Sequence, residues 1–249
     1  MADALHQFEI QPIGAPLRVA GLDLSFTNSA LWMMIAAVLS VGLLSVAMRR
    51  RALVPGRSQA AAEMVYEFIA NMIRENIGTG GMQYFPLLFT IFMIVFLGNS
   101  LGLVPYAFTY TSHLIVTATL ALLVFVCVCV IGIARHGRHF FSLFVPPGVP
   151  WPMLPLIVPI EVLSFLIRPV TLSVRLFANM MAGHILLKVI AGFAVGFLAL
   201  GVTGMALGIL PTLFNVVLIG FELLIAFLQA YVFTILSCIY LKDTVELHH

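Results

Sequence analysis

Charge is scarce in this sequence: Asp, Glu, Lys and Arg together make up 9% of its 249 residues, and their formal sum is only +2. So small a sum leaves no footprint for nucleic acid, which needs clustered cations. Cysteine is scarce too. Cys127, Cys129 and Cys238 lie inside apolar stretches without metal-ligand spacing, and a C-x-C pair on a helix points to different faces, so all three read as packing groups. There is no phosphate-cradling glycine loop, nucleophile triad or metal cluster, and no cofactor is expected. Internal repeats and low-complexity segments are also missing. Asp3, His6, Glu9, Arg18 and Asp23 precede the first apolar run, which excludes the short basic flank and early apolar core of a cleaved signal peptide. That first run therefore reads as a true span.

What the sequence has in excess is apolar surface, 62% of residues with a mean hydropathy of +1.12, which places it in lipid. A hydrocarbon core of roughly 30 Å takes about 20 apolar residues as helix, because nothing in lipid satisfies an open backbone. Residues 29–48 are uncharged and end in Arg49-Arg50-Arg51; residues 84–108 are uncharged; residues 113–134 are uncharged and end in Arg135-His136-Gly137-Arg138-His139. The positive-inside rule puts both basic clusters in the cytoplasm and leaves residues 1–28 outside. Between the first two spans, residues 57–77 set Ala61, Met64, Val65, Phe68, Ile69, Met72 and Ile73 on one helical side. Glu63, Glu67, Asn71, Arg74 and Glu75 take the other. This predicts an amphipathic helix on the cytoplasmic interface or against a partner, stopped by Gly78 to Gly81.

Pro146, Pro147, Pro150, Pro152 and Pro155 then interrupt the chain before a largely apolar stretch that reaches Leu241. The stretch is too long for one perpendicular span. It predicts two long tilted helices, 153–198 and 205–241, joined near the glycine-rich Gly192 to Gly208, with Pro169 as a kink and Pro211 near the second start. Residues 242–249 form a cytoplasmic tail. The expected architecture is a single all-α membrane domain of five transmembrane helices and one interfacial helix.

A charge at the bilayer centre costs about 2.5 to 3.5 kcal/mol on insertion scales, so each one in these helices needs a reason. The first long helix holds Glu161, Arg168, Arg175 and Lys188, with Ser164, Asn179 and His184; the second holds Asn215, Glu222 and Gln229. At about 100° per residue, Glu161, Ser164, Arg168 and Asn179 fall within roughly 40° of Arg175, whereas His184 lies about 180° away. Asn215, Glu222 and Gln229 are seven apart and share a face. Exchangeable groups leading to an imidazole and a carboxylate are what a hydrated proton path requires. Arginine cannot hop a proton, since its guanidinium stays charged, but a fixed cation repels a passing proton and holds a facing carboxylate ionised. Arg175 is expected to act as such a barrier.

Blander roles stand beside these. A helix cation can snorkel or contact lipid and partner subunits, the structural roles to which Arg168 and Lys188 incline, although Arg175 sits deep in its run. Glu161 and Ser164 could mark a helix start favoured by the dipole. His184 and Glu222 could be a satisfied buried hydrogen bond. Asn99, Asn179, Asn215 and Gln229 could glue helices together, as could the small-residue spacings Gly192-x-x-x-Gly196 and Gly204-x-x-x-Gly208. His113 reads as interfacial. A secondary transporter or channel would also hold mid-membrane charges, but the internal repeats typical of transporters are missing. A haem-bearing anchor needs two facing histidines, and only His113 and His184 are candidates.

The run Pro169-Val170-Thr171-Leu172-Ser173-Val174-Arg175-Leu176-Phe177-Ala178-Asn179-Met180-Met181-Ala182-Gly183-His184 resembles the signature of the a subunit of F-type ATP synthases. Further matches are Gly98-Asn99-Ser100-Leu101-Gly102-Leu103-Val104-Pro105, Pro159-Ile160-Glu161, and Glu222 with Gln229, all in order. The resemblance implies a proton-translocating stator subunit without a catalytic site of its own. Its last two helices would form a tilted hairpin against a rotating ring of c subunits, with b-type peripheral stalk subunits as further partners. It implies that Arg175 faces the ring carboxylate and that two offset half-channels flank it. Asn99, Asn179, His184, Asn215, Glu222 and Gln229 would belong to the outer one, Glu161 and Ser164 to the cytoplasmic one. Bacterial members often carry an acid where this chain has His184 and a histidine where it has Glu222; the swapped pair is similar to the alphaproteobacterial and mitochondrial arrangement. A bacterial inner membrane is the expected location, a mitochondrial one the second choice.

Overall fold

The computed structural model describes residues 8–13, 18–19, 22–23, 25–49, 54–104, 107–145, 150–198 and 201–245. Of the positions singled out above, Asp3, His6, Arg50, Arg51, Pro105, Pro146 and Pro147, and residues 246–249 of the tail, lie outside the described residues. A two-residue antiparallel ladder, β1 (Arg18–Val19) with β2 (Leu22–Asp23), opens the chain. Six α-helices follow: α1 (Asn28–Ala47), α2 (Arg57–Ile77), α3 (Phe85–Gly102), α4 (Leu114–His136), α5 (Leu154–Leu198) and α6 (Val202–Val245). Among the described residues five stretches are long and apolar enough to cross a membrane: Asn28–Ala47, Thr79–Gly102, Leu114–Phe144, Trp151–Phe197 and Gly204–Val245. Apolar side chains cover their outsides; Val38, Val41 and Val46 on α1 and Ile115 and Val130 on α4 are all exposed. In water such a surface would aggregate, whereas lipid solvates it.

α1 is started by side chains. Thr27 Oγ1 accepts from the Ala30 amide at 3.3 Å, and Asn28 Oδ1 accepts from Gln11 N at 3.2 Å while its amide donates to Glu9 O at 3.0 Å. These bonds tie the N-terminal segment to the helix start. α2 is amphipathic, and it packs its apolar side within its own chain. Phe68 sits 6.0 Å from Phe92 and 5.6 Å from Tyr231, and Tyr66 sits 4.5 Å from Phe85, centroid to centroid. Ile69, Met72 and Ile73 are buried as the periodicity requires, but Ala61 and Met64 are exposed, so only the second half of the apolar stripe is covered. The helix ends at Gly78, whose φ of +80° suits glycine and whose amide donates to Arg74 O at 3.1 Å.

The hairpin turn differs from expectation. α6 begins at Val202, immediately after Gly201 with φ +77°, so Gly204, Gly208 and Pro211 lie inside the helix. Proline removes one backbone donor, a loss that long apolar helices tolerate. α6 also runs on through Lys242 and Asp243 to Val245, where a tail was expected. Likewise α3 stops at Gly102, although the uncharged run continues to Phe108. At 1.5 Å per residue α5 and α6 are each about 65 Å long, roughly twice a hydrocarbon core. An added Cβ at Gly192 or Gly196 would meet nothing within 4 Å, so among the described residues that small-residue spacing packs against no neighbour.

Two compact units divide the chain. The first comprises Met1–Leu43, Met93–His113 and Leu176–Ala230; the second comprises Leu44–Phe92, Leu114–Arg175 and Tyr231–His249. In the second, Arg135 Nη1 donates to Tyr84 Oη at 3.3 Å and His136 Nε2 lies 3.1 Å from Val245 O. Phe125, Phe140 and Phe144 surround Phe165 at 5.0 to 6.4 Å. In the first, Phe96 packs edge-on to Phe227 at 6.0 Å.

Candidate functional site

The first unit gathers six of the polar residues singled out in the sequence: Asn99, Asn179, His184, Asn215, Glu222 and Gln229. Asn99, His184, Glu222 and Gln229 are buried, with Asn99 at 0%, Glu222 at 4% and His184 at 7% exposure. His184 Nε2 and Glu222 Oε1 are 3.9 Å apart, within ion-pair distance but too long for a hydrogen bond. Gly183 makes room for the carboxylate. A Cβ there would lie 2.5 Å from Glu222 Oε1, so no larger residue fits without displacing it. A cavity of about 240 Å³ opens beside Glu222, lined by Asn179, Ala182, Gly183, Leu186, Leu187, Leu218, Phe221, Glu222 and Ile225. At about 30 Å³ per water it has room for several.

Around this pair the amides form a partly satisfied network. Asn179 Nδ2 donates to Gln229 Oε1 at 2.8 Å, and Asn99 Nδ2 reaches Ala226 O at 3.5 Å. Among the described residues Asn99 Oδ1, Asn215 Oδ1, Gln229 Nε2 and both oxygens of Glu222 are buried without a hydrogen-bond partner. Structural polar groups in apolar surroundings are normally paired, because an unmet one costs about 1 to 3 kcal/mol. These five atoms, two of them the oxygens of a titratable carboxyl, all fall in the first unit.

Sequence reasoning missed Thr109. α3 ends at Gly102 and the chain turns back, so that Thr109 Oγ1 lies 3.3 Å from Gly102 O and 3.0 Å from His184 Nε2. A hydroxyl both donates and accepts, so Thr109 can hold the imidazole whether or not Nε2 carries its proton. Ser112 Oγ donates to Thr109 O at 2.5 Å and Tyr110 Oη to Ile94 O at 3.1 Å, which fixes the turn. Burial raises the Tyr110 phenol well above its usual value and lowers His113, so both are neutral at pH 7. His113 stacks on Phe108 at 5.1 Å with its Nε2 buried and unpartnered. The ring of Phe8 covers an edge of His184 at 6.4 Å. No sequence pattern announces these contacts, since they depend on where α3 breaks.

The second unit holds the other three. Glu161 is half-buried, and Ser164 and Arg175 are exposed. Among the described residues Arg175 has neither a hydrogen bond nor an ion pair. Arg175 is also the last residue that α5 gives to this unit, Leu176 being the first it gives to the other. Arg168 Nη1 pairs with Asp243 Oδ2 at 2.8 Å, a structural contact at the end of α6. Lys188 is half-buried one turn beyond His184.

Residues 30–242 match the family described as ATP synthase A chain. The chain is 55% identical to the ATP synthase subunit a of Rhizobium etli over 244 residues, covering 98% of this chain and 97% of that one. It is 54% identical to the protein of the same name from Mesorhizobium japonicum over 99% and 98% of the two chains. With the subunit of Rhodospirillum rubrum it shares 52% identity over 100% of both. All three organisms are alphaproteobacteria, the group to which the His184 and Glu222 arrangement pointed.

Proposed function

Because the chain belongs to the ATP synthase A chain family, we propose that Arg175 separates two proton paths within the membrane sector of an F-type ATP synthase. The chain is a multi-pass membrane protein, a proton-translocating stator component that works with the rest of the complex and has no catalytic site of its own. At residue level, His184 and Glu222 relay protons in the outer half-channel, with Asn99, Asn179, Asn215 and Gln229 lining it. Glu161 and Ser164 release them to the cytoplasm. Arg175 faces a ring of c subunits and holds the ring carboxylate ionised between the two paths. Proton flow in by one path and out by the other turns the ring, and b-type stalk subunits hold the stator still.

One observation carries this reading: His184 and Glu222 stand buried 3.9 Å apart among amide atoms without hydrogen-bond partners, while Arg175, on the same helix as His184, is exposed and has no ion pair among the described residues. Charge placement supports the orientation. Arg49 follows the first span, and Arg135 and Arg138 lie at the end of α4 and just past it, which assigns those ends to the cytoplasmic side of a bacterial inner membrane, with residues 1–28 outside and 242–249 inside. The five long apolar stretches are the spans, α2 lies along the cytoplasmic interface, and α5 with α6 tilts against the ring.

Native purification tests the assembly. The chain is expected to co-purify with small, strongly apolar hairpin subunits in ring stoichiometry; recovery as a lone conducting monomer contradicts the reading. The Thr109 contact yields a finer test. Thr109→Val should slow ATP-driven proton pumping about fivefold, the factor that matches a hydrogen bond of about 1 kcal/mol, while Thr109→Ser restores it. Equal losses in the two variants would mean that Thr109 acts through packing instead.

A further inference from the structure

Arg168 precedes Arg175 by seven residues on α5 and follows Glu161 by seven. On an α-helix that spacing is about 10.5 Å along the axis and about 20° in azimuth, so the two arginines share one stripe. Left free, Arg168 would offer a facing carboxylate a second permanent cation, two turns nearer the residues assigned to proton release. Its actual surroundings prevent this. Asp243, at the end of α6, accepts from Nη1 at 2.8 Å, and the guanidinium lies 5.5 Å from the Phe165 ring centroid and 5.0 Å from that of Tyr240. Only 26% of the Arg168 side chain and 34% of the Asp243 side chain remain exposed. The charge is therefore matched by a carboxylate and flanked by two aromatic rings.

We infer that Asp243 is a positioning residue that neutralises Arg168 and turns it off the stripe, so that Arg175 is the unpaired arginine that a ring carboxylate meets there. The inference rests on the reading of α5 as the ring-facing helix. The ring carboxylate leaving Arg175 must lose its attraction to cations before it can move on. With Asp243 in place it meets a compensated pair; without Asp243 it meets a competing trap. A plain helix clamp would use the same contact, but it makes a different prediction. Breaking a clamp from either side costs the same, whereas removing the acid alone releases a cation and removing the arginine alone does not.

The test compares Asp243→Asn, Arg168→Gln and the double variant in whole complexes, reading ATP-driven acidification of inverted membrane vesicles per assembled complex. Asp243→Asn is expected to lose about tenfold, Arg168→Gln about twofold, and the double variant should return to the Arg168→Gln level, a coupling visible in a double-mutant cycle. Asp243→Glu should recover most of the activity. Equal losses in the two single variants, or losses that add in the double, overturn the inference. Should Asp243→Asn fail to assemble, assembly of the double variant supports an uncompensated arginine, and failure of both overturns it. Arg175→Ala runs alongside: if that variant still pumps, the ring-facing reading itself is wrong, whatever the Asp243 series shows.

Discussion

Arg175→Ala should abolish ATP synthesis and ATP-driven proton pumping, a fall of a hundredfold or more that corresponds to roughly 2.7 kcal/mol or above. The size follows from the residue's surroundings. Arg175 is exposed on α5 and has neither a hydrogen bond nor an ion pair among the described residues, so its charge is available to whatever faces it. In low dielectric that charge sets the protonation of a facing carboxylate, and no other group on the stripe substitutes, since Arg168 is held by Asp243. Arg168→Ala should be far milder, because it removes a cation already compensated. Assembly of the complex with its ring, checked by subunit composition, shows that the loss is one of coupling. ATP-driven acidification by Arg175→Ala vesicles at a tenth of wild type or more would remove the assigned role.

The second large effect concerns Glu222. Glu222→Gln keeps size and hydrogen bonding but cannot take up or give up a proton, so it should cut proton translocation on the order of a hundredfold, the usual reach of a positioned acid–base group. Both oxygens of Glu222 are buried without a partner and stand against Gly183 and the cavity beside it, so no structural hydrogen bond is lost in the exchange. A packing role predicts near-normal activity for this isosteric change. The pair with His184 adds a sharper expectation. With the two groups 3.9 Å apart, the double exchange His184→Glu with Glu222→His keeps one imidazole and one carboxylate in contact and should recover part of the activity that either single change loses. Double-exchange activity no better than that of the worse single variant would show that the positions act separately.

Much of this was legible in the sequence because lipid imposes simple rules. Uncharged runs bounded by Arg49 and Arg135 located spans, and a turn of about 100° per residue put Arg175 and His184 on different sides of one helix. The structure has the first exposed and the second buried. Helix ends were less legible. Glycine and proline suggested a break across Gly192 to Gly208, yet α5 runs to Leu198 and α6 starts at Val202, because a long apolar helix absorbs Gly204, Gly208 and Pro211. Contacts between distant helices were not legible at all. Arg168 and Asp243 are 75 residues apart, as are Thr109 and His184, and periodicity within one helix says nothing about what a neighbour presents. The amphipathic α2 shows the same limit. Its pattern marked an apolar side, while the packing of Phe68 on Phe92 and Tyr231 decided that only its second half is covered.

Whether Arg175 separates proton paths or carries protons itself is decided by passive flux. In vesicles stripped of the catalytic sector and bearing the Arg175→Ala complex, an imposed pH gradient should still dissipate through the membrane sector, because the relay through His184, Glu222 and Glu161 is intact and only the barrier is gone. ATP synthesis in the matching unstripped vesicles should stay at background. Loss of the passive flux together with synthesis would identify Arg175 as a carrier and contradict the account.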